Sequence, residues 1–275
     1  MSFSVLMSVY AKEQPAYLSL ALESVFRQSL PPDEVILVED GKLTEGLYEV
    51  IRKQQMLHPE LKAVQLEENQ QLGRALRIGL GYASHELVAR MDADDIAVGK
   101  RFEVQCRYMD SHPEVAAVGG YIQEFDDSGT WEKVKEMPLG EEEIRHYMRY
   151  RNPLNHMTVM FRKKAVMQAG NYEHFPFLED YYLWCRMYAQ GAKLANLPDV
   201  LVCARTSGSM FQRRGGFAYC RRYLKFRGIQ RKLGITNRWE YLVGCALSIA
   251  ISLQPGWLRK RVYGLLLRRG QEENG

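Results

Sequence analysis

Three aspartates, Asp92, Asp94 and Asp95, stand within four positions in the stretch RMDADDIAVGKR, Arg90 to Arg101. Carboxylates this close repel one another unless positive charge sits among them. Asp92 and Asp94 are two apart, so directly after a strand both side chains point the same way. Oxygens so placed can hold Mg2+ or Mn2+, with water and a substrate diphosphate filling the remaining positions. Such an ion neutralises charge on a departing diphosphate as a Lewis acid. The plainer reading is an acidic helix start, with Asp95 before Ile96 favouring the helix dipole. A second pair, Glu179-Asp180, heads the aromatic-rich run Tyr181-Tyr182-Leu183-Trp184. One carboxylate there can take the proton of an attacking hydroxyl. Its plainer reading is again two acids in a helical first turn. His156, in NPLNHMT, can hydrogen-bond a diphosphate or an acceptor, or serve the apolar run beside it. Trp184, at helical spacing, is expected in the core.

The elements that must position these groups follow from apolar patterning. Phe3–Val9 and Glu34–Val38 are apolar runs of strand length, and Leu61–Leu66 and Leu87–Met91 continue the series. Between them lie helical patterns from Pro15, over Tyr48–Leu57 and over Arg74–Ala83. Strands apolar throughout, alternating with helices, imply a mostly parallel sheet covered on both faces. Right-handed crossovers then bring the strand C-termini to one edge, where open α/β sheets bind ligands. Ser8-Val9-Tyr10, Glu39-Asp40-Gly41 and Asp92-Ala93-Asp94-Asp95 all stand at such ends. Downstream, a helix is expected over Arg101–Ser111, strands at Val115–Val118 and Tyr121–Phe125, and a turn at Asp126–Gly129 leading into Trp131–Val134. Helices are expected over Glu141–Tyr150 and Tyr181–Gln190.

The ordered motifs resemble the family 2 glycosyltransferases of bacterial polysaccharide synthesis. The matching pieces run from about Ser4 to Arg205: SVLMSVY, EVILVEDG, NQQLGRALRIGL, ARMDADDIAVGKRFEVQ, EVAAVGG, NPLNHMTVMFRK and FLEDYYLWCRM. The resemblance implies a GT-A fold, an α/β domain with a Rossmann-like, mostly parallel sheet. It implies an inverting hexosyltransferase that uses a UDP-sugar donor and Mn2+ or Mg2+. Val9, Tyr10, Glu39 and Asp40 would then contact the nucleoside. The Asp92-Ala93-Asp94-Asp95 run would meet the donor diphosphate and sugar, with Asp92 and Asp94 as metal ligands. Asp180 matches the family's base, with Glu179 orienting the acceptor. Arg74 or Arg77 would offer positive charge to a phosphate, and His156 would join the donor site. The chain departs from the family in having Glu39-Asp40 where two Asp or Asp-Asn are usual, and Arg77 where Asn is common. A narrower likeness to the amylovoran and O-antigen galactosyltransferase branch, carried mostly by NPLNHMTVMFRK, implies galactose moved in β1,3 linkage to a HexNAc-diphosphate-lipid. Glucose or another hexose in the same pathway class is the alternative.

Composition is that of a globular protein: 275 residues, 46% hydrophobic and 25% charged, a length for one large domain or one with an appendage. The charge is uneven. Arg205–Arg269 carries fifteen Lys/Arg and one acid, Glu240, a net +14 that leaves −10 on the remainder of a chain totalling +4. We therefore expect a GT-A domain over 1–205 and a basic, amphipathic helical extension over 206–275. A basic-aromatic extension suits an anionic membrane interface, where a polyprenyl-diphosphate-linked glycan acceptor resides; a hairpin packed on the domain is the other reading. No stretch reaches the roughly 18–20 apolar residues of a spanning helix, and the N-terminus lacks a signal-peptide pattern. Five scattered cysteines with no CxxC suit a reducing cytoplasm. The expected place is thus the cytoplasmic face of the bacterial inner membrane, peripherally attached. A sugar-phosphate nucleotidyltransferase would want a glycine-rich loop where this chain has SVYAKEQP. No helix-turn-helix, zinc or RNP pattern supports a nucleic-acid partner for the basic extension.

Overall fold

The computed structural model describes residues 2–126, 130–206 and 216–254. The strands β1 (Phe3–Val9), β2 (Glu34–Glu39), β3 (Leu61–Gln65) and β4 (Leu87–Arg90) alternate with helices α1 (Pro15–Phe26), α2 (Glu45–Leu57) and α3 (Leu72–Tyr82). Next come β5 (Ile96–Ala97), α4 (Arg101–Ser111), β6 (Val115–Phe125), β7 (Trp131–Lys135) and α5 (Glu141–Met148). A 3-10 turn at His156–Thr158 leads to β8 (Met160–Arg162), α6 (Lys163–Gln168), α7 (Glu179–Ala189) and β9 (Lys193–Arg205). Helices α8 (Phe217–Lys232) and α9 (Arg238–Leu253) close the described chain.

The strands form one sheet in the order β3-β2-β1-β4-β8-β6-β9-β5, with β7 hairpinned on β6. β3, β2, β1 and β4 are mutually parallel; β8 runs antiparallel to both β4 and β6. The apolar strands are apolar because both faces are covered. Phe3, Val5 and Met7 pack with Leu18, Leu22 and Val25 of α1 on one face. Leu6, Ile36 and Val38 pack with Ala75, Leu76 and Leu80 of α3 on the other. This is the expected mixed α/β architecture.

Two expectations are corrected. The strands anticipated at Val115–Val118 and Tyr121–Phe125 are one continuous strand. Gly119 and Gly120 do not break it; side chains of β9 fill the space beside them. A Cβ on Gly119 would lie 2.6 Å from Asn196 Oδ1, and one on Gly120 2.5 Å from Leu201 Cδ1. Asp95 caps no helix: Ile96 and Ala97 pair antiparallel with Cys203 and Val202, and the helix begins only at Arg101. The turn expected at Asp126–Gly129 lies mostly outside the described residues, as do Arg213-Arg214 and Trp257–Arg269.

Helix α8 belongs to the body's packing. Phe226 is fully buried, its ring 4.5 Å from that of Tyr181 and 5.8 Å from that of Phe175. Arg227 Nη1 and Nη2 donate to the carbonyls of Arg149 and Tyr150, each at 2.8 Å. Gln230 Nε2 donates to Met148 O at 2.8 Å and Tyr181 Oη at 3.0 Å. No helix among the described residues is long and apolar enough to cross a membrane.

Candidate active site

β4 ends at Arg90, and the acidic run follows at the edge of the sheet. Arg90 is 1% exposed, and its guanidinium pairs with Asp92. Its Nε and Nη1 have no partner among the described residues. Arg101 braces this strand end by donating from Nη2 to Arg90 O at 2.6 Å. Asp95 is tied to the end of β9: its Oδ1 accepts the Arg205 N–H at 2.8 Å. Arg205 Nε donates to Asp94 O at 3.2 Å, and its guanidinium lies 3.8 Å from the Tyr17 ring centre.

Asp92, Asp94 and Asp95 each present an oxygen within 4.8 Å of the others. Burial first, then the charges of Asp92 and Glu13, push Asp94 up to about 7. Burial and the two neighbouring carboxylates raise Asp95 as well, and its Oδ2 is enclosed without a partner among the described residues. An oxygen-only set under this much mutual repulsion fits a hard divalent cation.

The other strand ends gather at the same edge. Val9 is buried and Tyr10 half-exposed. Val9 O accepts the Asp40 N–H at 2.8 Å. Asp40 Oδ1 accepts the Gln70 N–H at 2.6 Å, so this carboxylate also fixes the loop entering α3. Glu39 is buried, which raises its pKa. Arg74 is exposed in the first turn of α3. Arg77 Nη1 donates to Gly170 O at 2.8 Å and Tyr172 O at 3.0 Å, clamping the segment that leads to α7.

Glu179 and Asp180 open α7. Asp180 Oδ2 accepts from Asn152 Nδ2 at 2.5 Å, and its Oδ1 accepts the Tyr181 N–H at 2.7 Å. Burial raises the Asp180 pKa. Burial and then Asp180 push Glu179 up to about 7, and Glu179 Oε2 has no partner among the described residues. Gly73 of α3 lets this pair approach: a Cβ there would lie 3.1 Å from Glu179 Cβ. Gln71 at the head of α3 and Phe177 just before α7 both hold left-handed backbone, at φ 67° and 70°. Strain of this kind costs about 1–3 kcal/mol and clusters at functional sites.

His156 is buried, and its Nε2 lies 3.0 Å from Tyr172 Oη. Burial, then Arg90, push its pKa well down, so the imidazole is neutral. Trp184 is fully buried, edge-on to His156 at 6.2 Å, as its spacing predicted. Arg90 joins the two acid groups. Its charge favours ionisation of Asp94 and Asp95 in one group and of Glu179 and Asp180 in the other.

Asn152, Arg205, Glu13 and Gly73 are site residues that sequence reasoning missed. Asn152 stood inside a quoted motif, and Arg205 marked the change in charge composition. Neither Glu13 nor Gly73 carried a signal.

Comparison with known proteins agrees with this geometry. The profile described as "Glycosyl transferase family 2" matches residues 4–174. The chain is 46% identical over 217 residues to the amylovoran biosynthesis glycosyltransferase AmsE of Erwinia amylovora, covering 79% of this chain and 81% of that one. It is 34% identical over 268 residues to a UDP-Gal:alpha-D-GlcNAc-diphosphoundecaprenol beta-1,3-galactosyltransferase of Escherichia coli, covering 97% of each. Among solved structures, S. aureus TarS 1-349 in complex with UDP-GlcNAc superposes with a TM-score of 0.69 at 18% identity, over 99% of this chain and 77% of that one. The mannosyltransferase PcManGT from Pyrobaculum calidifontis, in complex with GDP-Man and Mn2+, gives 0.62 at 17%, over 98% and 81%. The fold is therefore GT-A, and the chain belongs to glycosyl transferase family 2 as a hexosyltransferase.

Proposed function

We propose that this glycosyltransferase inverts the anomeric centre of a UDP-sugar and transfers a hexose to a lipid-diphosphate-linked HexNAc, in exopolysaccharide or O-antigen synthesis. The observation that carries this reading is buried Arg90, which pairs with Asp92 of one acid group and whose charge also acts on Glu179 and Asp180 of the other. One group has the oxygen set for a diphosphate-bound cation; the other holds an oriented carboxylate.

In this reading Asp180 is the base. Its Oδ1 and Oδ2 are held by the Tyr181 N–H and by Asn152, which fixes the plane of the carboxylate while each oxygen keeps a further acceptor site. As the acceptor oxygen bonds to the anomeric carbon, its proton passes to Asp180, and the bond from that carbon to the diphosphate oxygen breaks with UDP leaving. Glu179 orients the acceptor, and Val9, Tyr10, Glu39 and Asp40 line the nucleoside side. Arg74 and His156 are assigned to the donor pocket, His156 as a neutral hydrogen-bonding group. Asp92 and Asp94 would hold Mn2+ or Mg2+, which when bound supplies Lewis-acid stabilisation of the leaving diphosphate.

Galactose in β1,3 linkage is the specific donor and linkage proposed, supported by the E. coli relative's described activity. The basic extension over 206–275 would keep the enzyme at the cytoplasmic face of the inner membrane, beside its lipid acceptor. The test is a panel of UDP-sugars on synthetic GlcNAc- and GalNAc-diphosphate-lipids, with and without Mn2+, the product anomer being assigned by NMR. A β-galactosylated product from UDP-galactose is expected. Retention of the donor anomer, or turnover only with another donor, would remove the respective part of the assignment.

A further inference from the structure

Helix α9 is built inside out. Its inward face carries Gly244, Ser248 and Ser252, all buried. These small residues seat it on α8: a Cβ on Gly244 would meet the Arg227 side chain at 3.2 Å, and Ser248 Oγ accepts from Arg227 Nε at 3.2 Å. Its outward face carries Trp239, Leu242, Val243, Leu247, Ile249 and Leu253, each between 41% and 77% exposed. An amphipathic helix at a water-facing surface is expected to show the opposite polarity. A contiguous exposed apolar face of this kind marks a binding surface.

Charge decides what covers it. Arg221, Lys225, Arg231, Lys232 and Arg238 are all exposed along the same hairpin. The hairpin's one acid, Glu240, is already engaged, by Arg149 at 2.6 Å and by the Asn237 N–H at 2.8 Å. A second copy would bring two such cationic hairpins together with no exposed acid on either to pair them. An anionic lipid headgroup layer meets the hairpin with the opposite charge while acyl chains receive the apolar stripe. At 16 residues α9 is about 24 Å long, too short to span a bilayer, so it lies in the interface.

We propose that the outward face of α9, on a hairpin carrying these cations, is the surface with which the protein inserts into an anionic membrane interface. This rests on the lipid-acceptor reading above and narrows the contact from the whole 206–275 extension, which the sequence suggested, to one face of α9. The anchor is thereby held rigidly to the catalytic body through α8 and its Arg227 and Gln230 contacts.

The experiment uses full-length protein, with co-sedimentation on phosphatidylglycerol/phosphatidylcholine vesicles, and compares wild type with Leu242→Glu/Leu247→Glu. Both positions are exposed, so the fold is retained, and calorimetric UDP binding in the presence of Mn2+ checks this. The expected result is vesicle partitioning that falls at least ten-fold in the double variant with UDP affinity unchanged. Wild type that binds UDP and ignores vesicles, or a variant that sediments as wild type does, would overturn the proposal while leaving the transferase reading intact. A wild-type dimer that becomes monomeric in the variant, with vesicle binding unaltered, would overturn it in favour of a self-association surface. Loss of UDP binding by wild type itself would instead count against the transferase reading.

Discussion

Asp180 and Asn152 separate chemistry from its support. Asp180→Asn removes the proton acceptor but keeps the side chain's shape, so donor binding should persist while kcat falls about 10^2- to 10^4-fold. Asn152→Ala leaves the carboxylate but frees its orientation, and a charge-assisted hydrogen bond contributes about 1.5–3 kcal/mol. It should lower kcat by roughly ten- to a hundred-fold and leave KM for the donor nearly unchanged. Steady-state kinetics beside UDP titration calorimetry distinguishes the two; equal losses would contradict this division of roles. Asp92, Asp94 and Asp180 stood out in the sequence only as parts of ordered motifs, since acids in a helical first turn also occur at Glu45, Glu103 and Glu141–Glu143 without such a setting. Asn152 did not, since an amide acquires its meaning only from the carboxylate it touches, 28 residues away. The partners of Arg77 were hidden for the same reason: the carbonyls of Gly170 and Tyr172 lie 93 and 95 residues away.

The parallel βα series was readable because both-face burial forces continuous apolar runs, and β1, β2 and α4 fall where patterning placed them. Element ends were less readable. α2 starts at Glu45 and α3 at Leu72, ahead of the Tyr48 and Arg74 that patterning suggested, because a first turn holding a single large apolar residue, Leu47 or Leu72, shows no periodicity of its own. Helix α8 shows the limit most clearly. Its basic-aromatic mix matches a surface helix, but Phe226, Arg227 and Gln230 are buried against α5 and α7. Phe226→Ala should therefore destabilise the whole protein by about 3–5 kcal/mol, as for large aromatics lost from a core. Chemical denaturation would show it. An effect under 1 kcal/mol would mean that α8 is a detachable appendage.

Acidic repulsion at the site is a debt carried by the entire molecule. Asp94 and Glu179 both sit at about 7 in the folded state, above the usual carboxylate range. A raised pKa means the folded state binds the proton more tightly than the unfolded chain does. Stability from these groups is therefore lost as pH rises from the ordinary carboxylate range through about 7, and regained on acidification across that window. Metal-free protein should melt higher at pH 5.5 than at pH 7.5, and Mn2+ should restore part of the difference at pH 7.5. Asp94→Asn should raise the metal-free melting temperature at pH 7.5 and abolish the response to Mn2+, as scanning calorimetry would record. A variant that still gains stability from Mn2+ would exclude Asp94 as a ligand.

Strand β9 touches both halves of the site. Near its start Asn196 Nδ2 donates to Pro138 O at 2.8 Å and Pro153 O at 3.0 Å, holding the loop that carries Asn152. At its end Arg205 holds Asp95. Between them it runs parallel to β6. The strand is thus a ruler whose length is part of the enzyme's inheritance. Its pairing with β6 already shifts register between Leu197 and Val202; beyond that bulge, a one-residue insertion or deletion before Arg205 would turn the following side chains to the opposite face and pull the two halves out of step. Changes in chain length are therefore expected to be borne by loops outside this span, and changes within it by substitution.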